Sequence, residues 1–223
     1  MTRIALLGAT GGCVDILDTI QDANDAGAGF EVLGFLDDKR ELWGSTVLGA
    51  PVLGGFAMAG NLPADCLFVT GIGSPYNHWR RGAIIAGLGI ARERFATIRH
   101  PTASVSRHAR LGPGTVLHQY AVVTAQAELG DHVLVLPHAI VNHGSRIGDF
   151  TIITSAAVVS GDVTIGRACY LGSQCAIRQN VTIGDGAMIG MGAVVVDEVA
   201  AHTVVAGSPA RFLRTNGSPR GEA

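Results

Sequence analysis

One of the eight histidines in this chain stands where acid–base chemistry is possible. His143 precedes Gly161 by 18 residues, and 18 residues is also the period of a repeat in the same segment. If the repeat stacks these two residues, an imidazole that titrates near neutral pH lies beside an unshielded backbone amide. A general base next to an amide that can hold an oxyanion is suited to attack on a carbonyl carbon. The alternative is a surface histidine beside a turn glycine. Asn142, directly before the histidine, is a candidate for orienting the imidazole.

The remaining histidines are expected to have structural or solvent-exposed positions. We expect His100 to be structural at a domain junction and His118 to be a partly buried packing residue. His78 is expected to cap a helix or be solvated, and His108 and His132 are expected at outward turns, while His202 lies past the last repeat. His138 and His143 are separated by four residues, a spacing that also occurs in zinc sites.

The first hundred residues carry three clusters that could hold a nucleotide. A strand at residues 3–7 leads into the glycine turn GATGG and then a helix from about Val14 to Asp25. A second strand, Phe30–Leu36, ends in Asp37 and Asp38, and a third, Cys66–Thr70, ends in Gly71–Gly73. A further helix is predicted from about Asn77 to Leu88, capped by Ser74, Pro75 and Asn77. Strands that alternate with helices predict a parallel sheet with ligands at its carboxyl edge, where all three clusters fall.

The candidate substrate residues at that edge are Thr10, Gly11, Gly12, Asp37, Asp38 and Gly73. Amides at a helix N-terminus can bind phosphate, and a carboxylate after the second strand can accept hydrogen bonds from a ribose or a base. The turn is not a complete G-x-G-x-x-G, and such turns also occur for packing alone. The domain has too few strands for a full dinucleotide fold, so one mononucleotide-binding half fits better.

The second half of the chain is a repeat with a period of six. From Val105 to Val195 every sixth residue is aliphatic, and glycine follows at Gly112, Gly130, Gly148, Gly166 and Gly184. A period of six matches neither a helix nor a flat strand and indicates a parallel β-helix with three hexads per coil. Residues 18 apart then lie over one another at the inter-strand spacing of about 4.8 Å. We expect a small α/β domain over residues 1–100 and a β-helix domain over residues 101–223, with hexads at 105–200 and a C-terminal tail.

The composition of the chain limits the classes of molecule that it is expected to bind. The net charge is −2 with dispersed charges, which argues against nucleic acid and anionic membranes and favours small molecules. The sequence has neither an 18-residue apolar run nor a signal-peptide pattern, so we expect a cytoplasmic protein. The four cysteines, Cys13, Cys66, Cys169 and Cys175, are expected to be small buried residues rather than disulfides or metal ligands.

Several segments together resemble one family over nearly the whole chain. These are GATGG, FLDD, GIGSPYNHWRR, RHPTA, VNHGSRIGDF and VVAGSPAR. They resemble the hexapeptide-repeat O- and N-acetyltransferases of the sialic acid and bacillosamine pathways. The resemblance implies a left-handed β-helix, a homotrimer, a nucleotide-linked sugar on the α/β domain and acetyl-CoA between prisms. It further implies that His143 is the base, that the Gly161 amide holds the thioester oxygen, and that Gly161, Ser173, Gly190 and Gly192 line the CoA groove, with no metal.

The chain departs from that family in three places. Gly12 stands where the turn usually carries a histidine, Gly144 stands where an acidic residue commonly follows the catalytic histidine, and Ile152 replaces a second histidine. The preferred activity is N-acetylation of a nucleotide-linked amino sugar in surface-polysaccharide or glycan biosynthesis, and the alternative is O-acetylation of a sialic-acid-like sugar. Two readings from other classes stay open, a zinc lyase similar to gamma-class carbonic anhydrases and a non-catalytic nucleotide-binding protein.

Overall fold

A computed structural model describes residues 1–216 of the chain. The N-terminal domain contains the strands β1 to β5 and the helices α1 and α2; their bounds are β1 Thr2–Leu7, α1 Gly12–Asp25, β2 Phe30–Leu36, β3 Thr46–Val47, β4 Ala50–Gly54, β5 Leu67–Thr70 and α2 Arg81–Ala86. Short 3-10 turns lie at Arg40–Leu42, Phe56–Asn61, His78–Arg80 and Arg92–Arg94. The strands are rich in aliphatic residues because the sheet is covered on both faces.

The sheet has the strand order β3-β4-β2-β1-β5, and β1 pairs in parallel with both β2 and β5. The chain therefore leaves β1 towards one side and later returns to its other side, which creates a crevice at the carboxyl ends of β1 and β5. The glycine turns after these two strands meet in this crevice. A Cβ on Gly71 would lie 2.8 Å from the backbone carbon of Gly12, so only glycine allows the two turns to approach this closely.

The second helix is shorter than the sequence predicts. Residues 78–80 form a 3-10 turn, and regular helix is confined to Arg81–Ala86, because the glycines Gly87 and Gly89 favour termination. The expected cap at Asn77 is wrong. Its Oδ1 accepts hydrogen bonds from the amide and hydroxyl of Ser74, at 2.7 Å and 2.9 Å, and not from an amide of the helix.

The hexads form a left-handed triangular prism, which confirms the predicted β-helix. Its three faces are parallel sheets of mostly two-residue strands. Face A comprises Ile98–Arg99, Val116–Leu117, Leu134–Val135, Ile152–Ile153, Tyr170–Leu171, Met188–Ile189, Thr203–Ala206 and the antiparallel Arg211–Thr215. Face B comprises Ser104–Val105, Val122–Val123, Ile140–Val141, Val158–Val159, Ala176–Ile177 and Val194–Val195. Face C comprises Arg110–Leu111, Glu128–Leu129, Arg146–Ile147, Thr164–Ile165 and Thr182–Ile183.

The strand register stacks residues that are 18 positions apart, as the 18-residue period of the sequence predicts. Val123 pairs with Val141, and Val141 pairs with Val159, each 18 residues further along the chain. The aliphatic first residue of each hexad and the small fifth residue fill the axis of the prism, where nearly all are fully buried. The dry interior therefore holds the coils in register, because a slip of one residue would turn polar residues inward.

The outward side chains distinguish the three faces. Face A presents Val116, Leu134, Ile152 and Tyr170, which pack against the N-terminal domain. Face C presents charged and polar residues to solvent. Face B presents a half-exposed apolar stripe, which we call the face-B stripe; its members are Val122, Ile140, Val158, Ala176 and Val194.

Four histidines mark the contact between the two domains. His100 binds Asp22 at 2.7 Å and His118 binds Thr19 at 2.9 Å, so both have the structural positions expected for them. The expectations for His78 and His132 are wrong, since both are buried. His78 Nδ1 contacts the Ala168 carbonyl at 2.8 Å.

His132 packs between the rings of Phe95 and Phe150, which is why it lies inside although its hexad place is a turn. Burial lowers the pKa of His118 and of His132 to about 4. Within residues 1–216, no helix is long and apolar enough to cross a membrane.

Candidate active site

The catalytic candidates lie at the edge between faces B and C, which we call corner BC (residues 124–127, 142–145 and 160–163). The exposed imidazole of His143 rests directly on Gly161. A Cβ on Gly161 would lie 2.5 Å from His143 Nε2 and 2.7 Å from Cε1. The absence of a side chain at residue 161 therefore makes the room that the imidazole occupies.

The amide of Gly161 has no hydrogen-bond acceptor within the described chain, whereas the flanking amides of Ser160 and Asp162 donate to Ile177 and His143. Two amides at the same hexad place, on the edge between faces C and A, show where such a group points. The amides of Asp131 and Arg167 each donate to a carboxylate oxygen of the residue 18 positions on, at 2.9 Å and 2.8 Å. The amide at this hexad place therefore faces outward and can hold an oxygen that carries negative charge.

Asn142 has a different partner from the one expected. Its Nδ2 donates to the carbonyl of Val159 at 2.9 Å, and within residues 1–216 no hydrogen bond joins it to His143. The residue that follows the imidazole, Gly144, has a φ of +67°. A side chain there would collide with the carboxylate of Asp162. Sequence reasoning missed Asp162, although it stands 18 residues after Gly144.

Three of the four expected CoA residues lie at another edge of the prism, whereas Gly161 lies at corner BC. Ser173, Gly190 and Gly192 are at the edge between faces A and B, which we call corner AB (residues 118–121, 136–139, 154–157, 172–175 and 190–193). Gly192 has open space around the position of a Cβ, and Ser173 donates to Thr154 at 3.2 Å. The strands of face B lie between this corner and corner BC. One copy of the chain therefore does not bring the two sets of residues together.

Ile152, which replaces the second histidine of the resembled family, does not lie near corner BC. It is on face A, 4% exposed, and packs beneath the N-terminal domain. A Cβ on Gly73 would lie 2.7 Å from Ile152 Cδ1, so Gly73 serves the contact between the domains. A histidine in place of Ile152 would be buried in that contact.

The nucleotide candidates meet at the carboxyl edge of the N-terminal sheet. Thr10, Gly11 and Gly12 are exposed at the N-terminus of α1, and Gly11 has a φ of +55° that glycine adopts readily. The amides of Gly11 and Gly12 donate no hydrogen bond within the described residues. These free amides at the positive end of a 14-residue helix suit a phosphate.

The two aspartates at this edge have different roles. Asp37 is 7% exposed, and its two oxygens accept hydrogen bonds from the amides of Ala9 at 2.8 Å and Lys39 at 2.9 Å. It therefore holds the glycine turn in place, and the expectation that it faces a ligand is corrected. Asp38 is exposed, its Oδ1 accepts a hydrogen bond from the amide of Phe56 at 2.9 Å, and it lines a cavity of about 450 Å³ together with Trp43 and Gly55.

Trp43 was missed by sequence reasoning. Its indole Nε1 donates to the Asp37 carbonyl at 2.7 Å, and its ring is half-exposed in the cavity. A Cβ on Gly55 would lie 3.2 Å from the ring, so this glycine keeps the cavity open beside the indole. An exposed indole face next to a carboxylate can stack on and hydrogen-bond to a heterocyclic base.

The two histidines on which the zinc alternative rests lie at different edges of the prism. His138 lies at corner AB, stacked on Tyr120 at 5.0 Å, whereas His143 lies at corner BC. Within residues 1–216, no group of three His, Cys, Asp or Glu side chains is placed to hold a metal ion.

Comparisons with known proteins agree with this architecture. The family model of the PglD N-terminal domain matches residues 3–82, and that of the bacterial transferase hexapeptide (six repeats) matches residues 162–197. Among curated proteins, none matches the chain.

Several solved structures share the whole fold. The acetyltransferase domain of PglB from Neisseria gonorrhoeae FA1090 is 31% identical, with a TM-score of 0.82 over 96% of this chain and 100% of that domain. The same domain has been solved in complex with acetyl coenzyme A. WeeI from Acinetobacter baumannii AYE is 25% identical, with a TM-score of 0.81 over 95% of this chain and 100% of its own. PerB from Caulobacter crescentus, in complex with CoA and GDP-perosamine, is 23% identical and shares the fold, with a TM-score of 0.80 over 95% of this chain and 97% of its own.

Proposed function

Because this chain belongs to the sugar acetyltransferases that join a PglD N-terminal domain to a hexapeptide prism, we propose that it transfers an acetyl group from acetyl-CoA to the amine of a nucleotide-linked sugar. The observation that carries this proposal is the imidazole of His143 lying on Gly161, with the unpaired amide of that glycine beside it. Base and oxyanion donor are thus adjacent in the folded chain, as attack on a thioester requires.

The reaction follows from these two groups. A sugar ammonium first loses a proton to solvent, and the resulting amine attacks the thioester carbon while His143 accepts its second proton. A C–N bond forms, and the Gly161 amide holds the oxyanion, which is worth about 3 kcal/mol for one donor. The C–S bond then breaks, and the imidazolium returns the proton to the leaving thiolate. The products are an N-acetylated sugar nucleotide and CoA.

The nucleotide would bind at the carboxyl edge of the N-terminal sheet. The free amides of Gly11 and Gly12, next to Thr10, suit the diphosphate. The cavity with Asp38 and Trp43 suits the base. A PglD-type domain over residues 3–82 and the nucleotide sugar bound to PerB support this class of substrate.

A homotrimer is proposed because one copy does not assemble the whole site. Ser173, Gly190 and Gly192 would line the CoA groove, and they lie across face B from His143. Contact through the face-B stripe would set corner AB of one copy near corner BC of the next, and it would also cover apolar side chains. Sedimentation should give a trimer, and the substitution Val158→Glu in the stripe should release monomers without activity. A stable monomer that keeps full activity would contradict this assembly.

The biological setting is proposed from the same observations. The sugar product suits surface-polysaccharide or glycan assembly. The four buried free cysteines suit the reducing cytoplasm, where acetyl-CoA is available. Acylation of a hydroxyl in place of an amine would use the same two groups, so the acceptor decides between N- and O-acetylation.

A thiol-release assay tests the function directly. Acetyl-CoA is offered with UDP-, GDP- and dTDP-linked amino sugars, with the matching hydroxyl sugars alongside. We expect CoA release with one amino sugar and a kcat at least about 100-fold lower in His143→Ala, whose melting temperature should stay near that of the wild type. Release that is unaffected by His143→Ala would remove this residue from the mechanism. No release with any acceptor, with nucleotide binding retained, would favour another acyl donor or a non-catalytic protein.

A further inference from the structure

We propose that Asp162 is the positioning residue for His143, and that its carboxylate reaches back from the next coil into the space beside the imidazole that Gly144 leaves open. The proposal rests on the function proposed for His143. It gives this chain a base–carboxylate pair whose members come from successive coils, 19 residues apart in sequence.

The packing of four residues at corner BC carries the argument. His143 and Gly144 lie in one coil, and Gly161 and Asp162 lie directly above them in the next. The imidazole rises over Gly161, while the Asp162 carboxylate descends over Gly144 and fills the position of a side chain there. Each glycine therefore makes room for the functional side chain of the neighbouring coil. The imidazole and the carboxylate lie side by side as a result.

The backbone holds this pair together. The amide of Asp162 donates to the carbonyl of His143 at 2.8 Å, and the amide of Gly144 donates to the carbonyl of Ala125 at 3.3 Å. The coil below, the coil of the base and the coil of the carboxylate are therefore hydrogen-bonded in register. Within residues 1–216 no hydrogen bond or ion pair joins the Asp162 carboxylate to the imidazole of His143, so the exposed Asp162 side chain would have to turn towards the ring to bind it.

Within corner BC no other charged side chain is available for this role. Among residues 124–127, 142–145 and 160–163, Asp162 is the only acidic residue, and His143 is the only other residue that can carry a charge. The nearest cations in the same columns, Arg107 and Arg178, stand two coils away from the base. Asn142, the other polar neighbour, has its NH₂ group engaged by the carbonyl of Val159.

A carboxylate in this position has a defined chemical effect. It selects the ring tautomer whose free nitrogen accepts the proton of the attacking amine, and it stabilises the imidazolium that forms. An aspartate placed at residue 144 would do the same from within one coil. In this chain Gly144 makes that impossible, and Asp162 supplies the same group from above.

The backbone conformation of the prism allows the carboxylate to be moved from residue 162 to residue 144 as a test. Residues 144 and 162 occupy the same hexad place, with φ of +67° and +56°, and Asn180 holds the next coil at +61°. Asp and Asn tolerate this conformation better than most side chains. Asp162→Asn is therefore expected to fold, and so is the exchange variant Gly144→Asp/Asp162→Gly, in which the carboxylate moves down one coil.

The experiment compares pH profiles of kcat and KM for the wild type, Asp162→Asn and the exchange variant. Asp185→Asn removes a surface carboxylate at the edge between faces C and A and is the matched control. Asp162→Asn should lower kcat about tenfold, with KM unchanged. The acidic limb of the profile should move to lower pH, because a neighbouring anion favours the protonated ring. Asp185→Asn should behave as the wild type, and the exchange variant should recover most of the rate.

The outcomes separate the two proposals. If Asp162→Asn keeps both the wild-type kcat and the wild-type pH profile while His143→Ala is inactive, the role of Asp162 is wrong and the function stands. If kcat falls without any change in the pH profile and the exchange variant does not recover it, Asp162 serves the fold alone. If His143→Ala keeps its rate, the proposed function fails before the question of Asp162 arises.

Discussion

The substitution Gly161→Ala addresses the central geometry of the site with a single methyl group. Gly161 does not have a positive φ, so alanine is compatible with the backbone, and the amide that would hold the oxyanion is kept. The new Cβ would lie 2.5 Å from His143 Nε2, 2.7 Å from Cε1 and 3.1 Å from Cδ2. Carbon contacts need about 3.5 Å, so the ring must move by about 1 Å.

The magnitude follows from that displacement. A misplacement of about 1 Å at a reacting group can cost about 100-fold in rate, or about 2.7 kcal/mol of transition-state stabilisation. The free energy of unfolding should change little, because the ring is exposed and can swing into solvent. We therefore expect a large loss of kcat in a protein with a near-normal melting temperature.

The thiol-release assay gives the rate, and a double-mutant cycle gives the cause. In the His143→Ala background the imidazole is absent, so adding Gly161→Ala should lower the residual rate very little. A wild-type kcat for Gly161→Ala would refute the placement of the imidazole on Gly161. An equal loss in both backgrounds would mean that the methyl group acts on the amide or the coil and not on the base.

Two further predictions concern the buried groups. In the folded protein the pKa of His118 and of His132 is about 4, below the ordinary 6.5, because burial disfavours the charged ring. As the pH falls, the unfolded chain therefore takes up protons before the folded protein does. Stability should therefore decline from about pH 6.5 towards pH 4, by about 2 kcal/mol per histidine at pH 5. Denaturant titrations at pH 7.5 and pH 5 measure the free energy of unfolding, and its loss between the two pH values should be smaller for His118→Gln than for the wild type. The exposed-site control His108→Gln should lose as much as the wild type. An equal loss in His118→Gln would contradict the assignment. Burial also raises the pKa of Cys13 to about 11 and that of Cys169 and Cys175 to about 12, so a disulfide reagent should titrate no thiol in the native protein and four after denaturation. Rapid native labelling would show that these side chains are accessible.

The prism was predictable because its repeat is local and periodic. Aliphatic residues at every sixth position can all be buried from water only if they point to the axis of a β-helix. The glycines 18 residues apart set the number of hexads per coil at three. The stacking of His143 on Gly161 follows from the same arithmetic. The strand–turn–helix start of the N-terminal domain was also readable, since hydrophobic runs and glycine turns are signals from adjacent residues.

Contacts between distant elements were not readable in this way. His132 has the hexad place of a solvent-exposed turn, yet it is buried because the N-terminal domain brings Phe95 against it. Asp37 has the sequence position of a ligand-binding carboxylate, yet its oxygens hold the glycine turn. In each case a partner that decides the role, Phe95 for His132 and Ala9 for Asp37, comes from another part of the chain, and no local pattern specifies it.

The sequence by itself determined the fold class, the register of the coils and the residue that acts as the candidate base, because periodic burial leaves one arrangement of the backbone. Only the tertiary structure decided which side chains surround that base. It set the Asp162 carboxylate over Gly144, bound Asn142 to the backbone of the next coil and separated the CoA residues from His143 by the width of face B. The physical reason is that side-chain direction at a turn depends on φ, on the coil above and on the space a glycine leaves, and these become definite only when the coils are stacked.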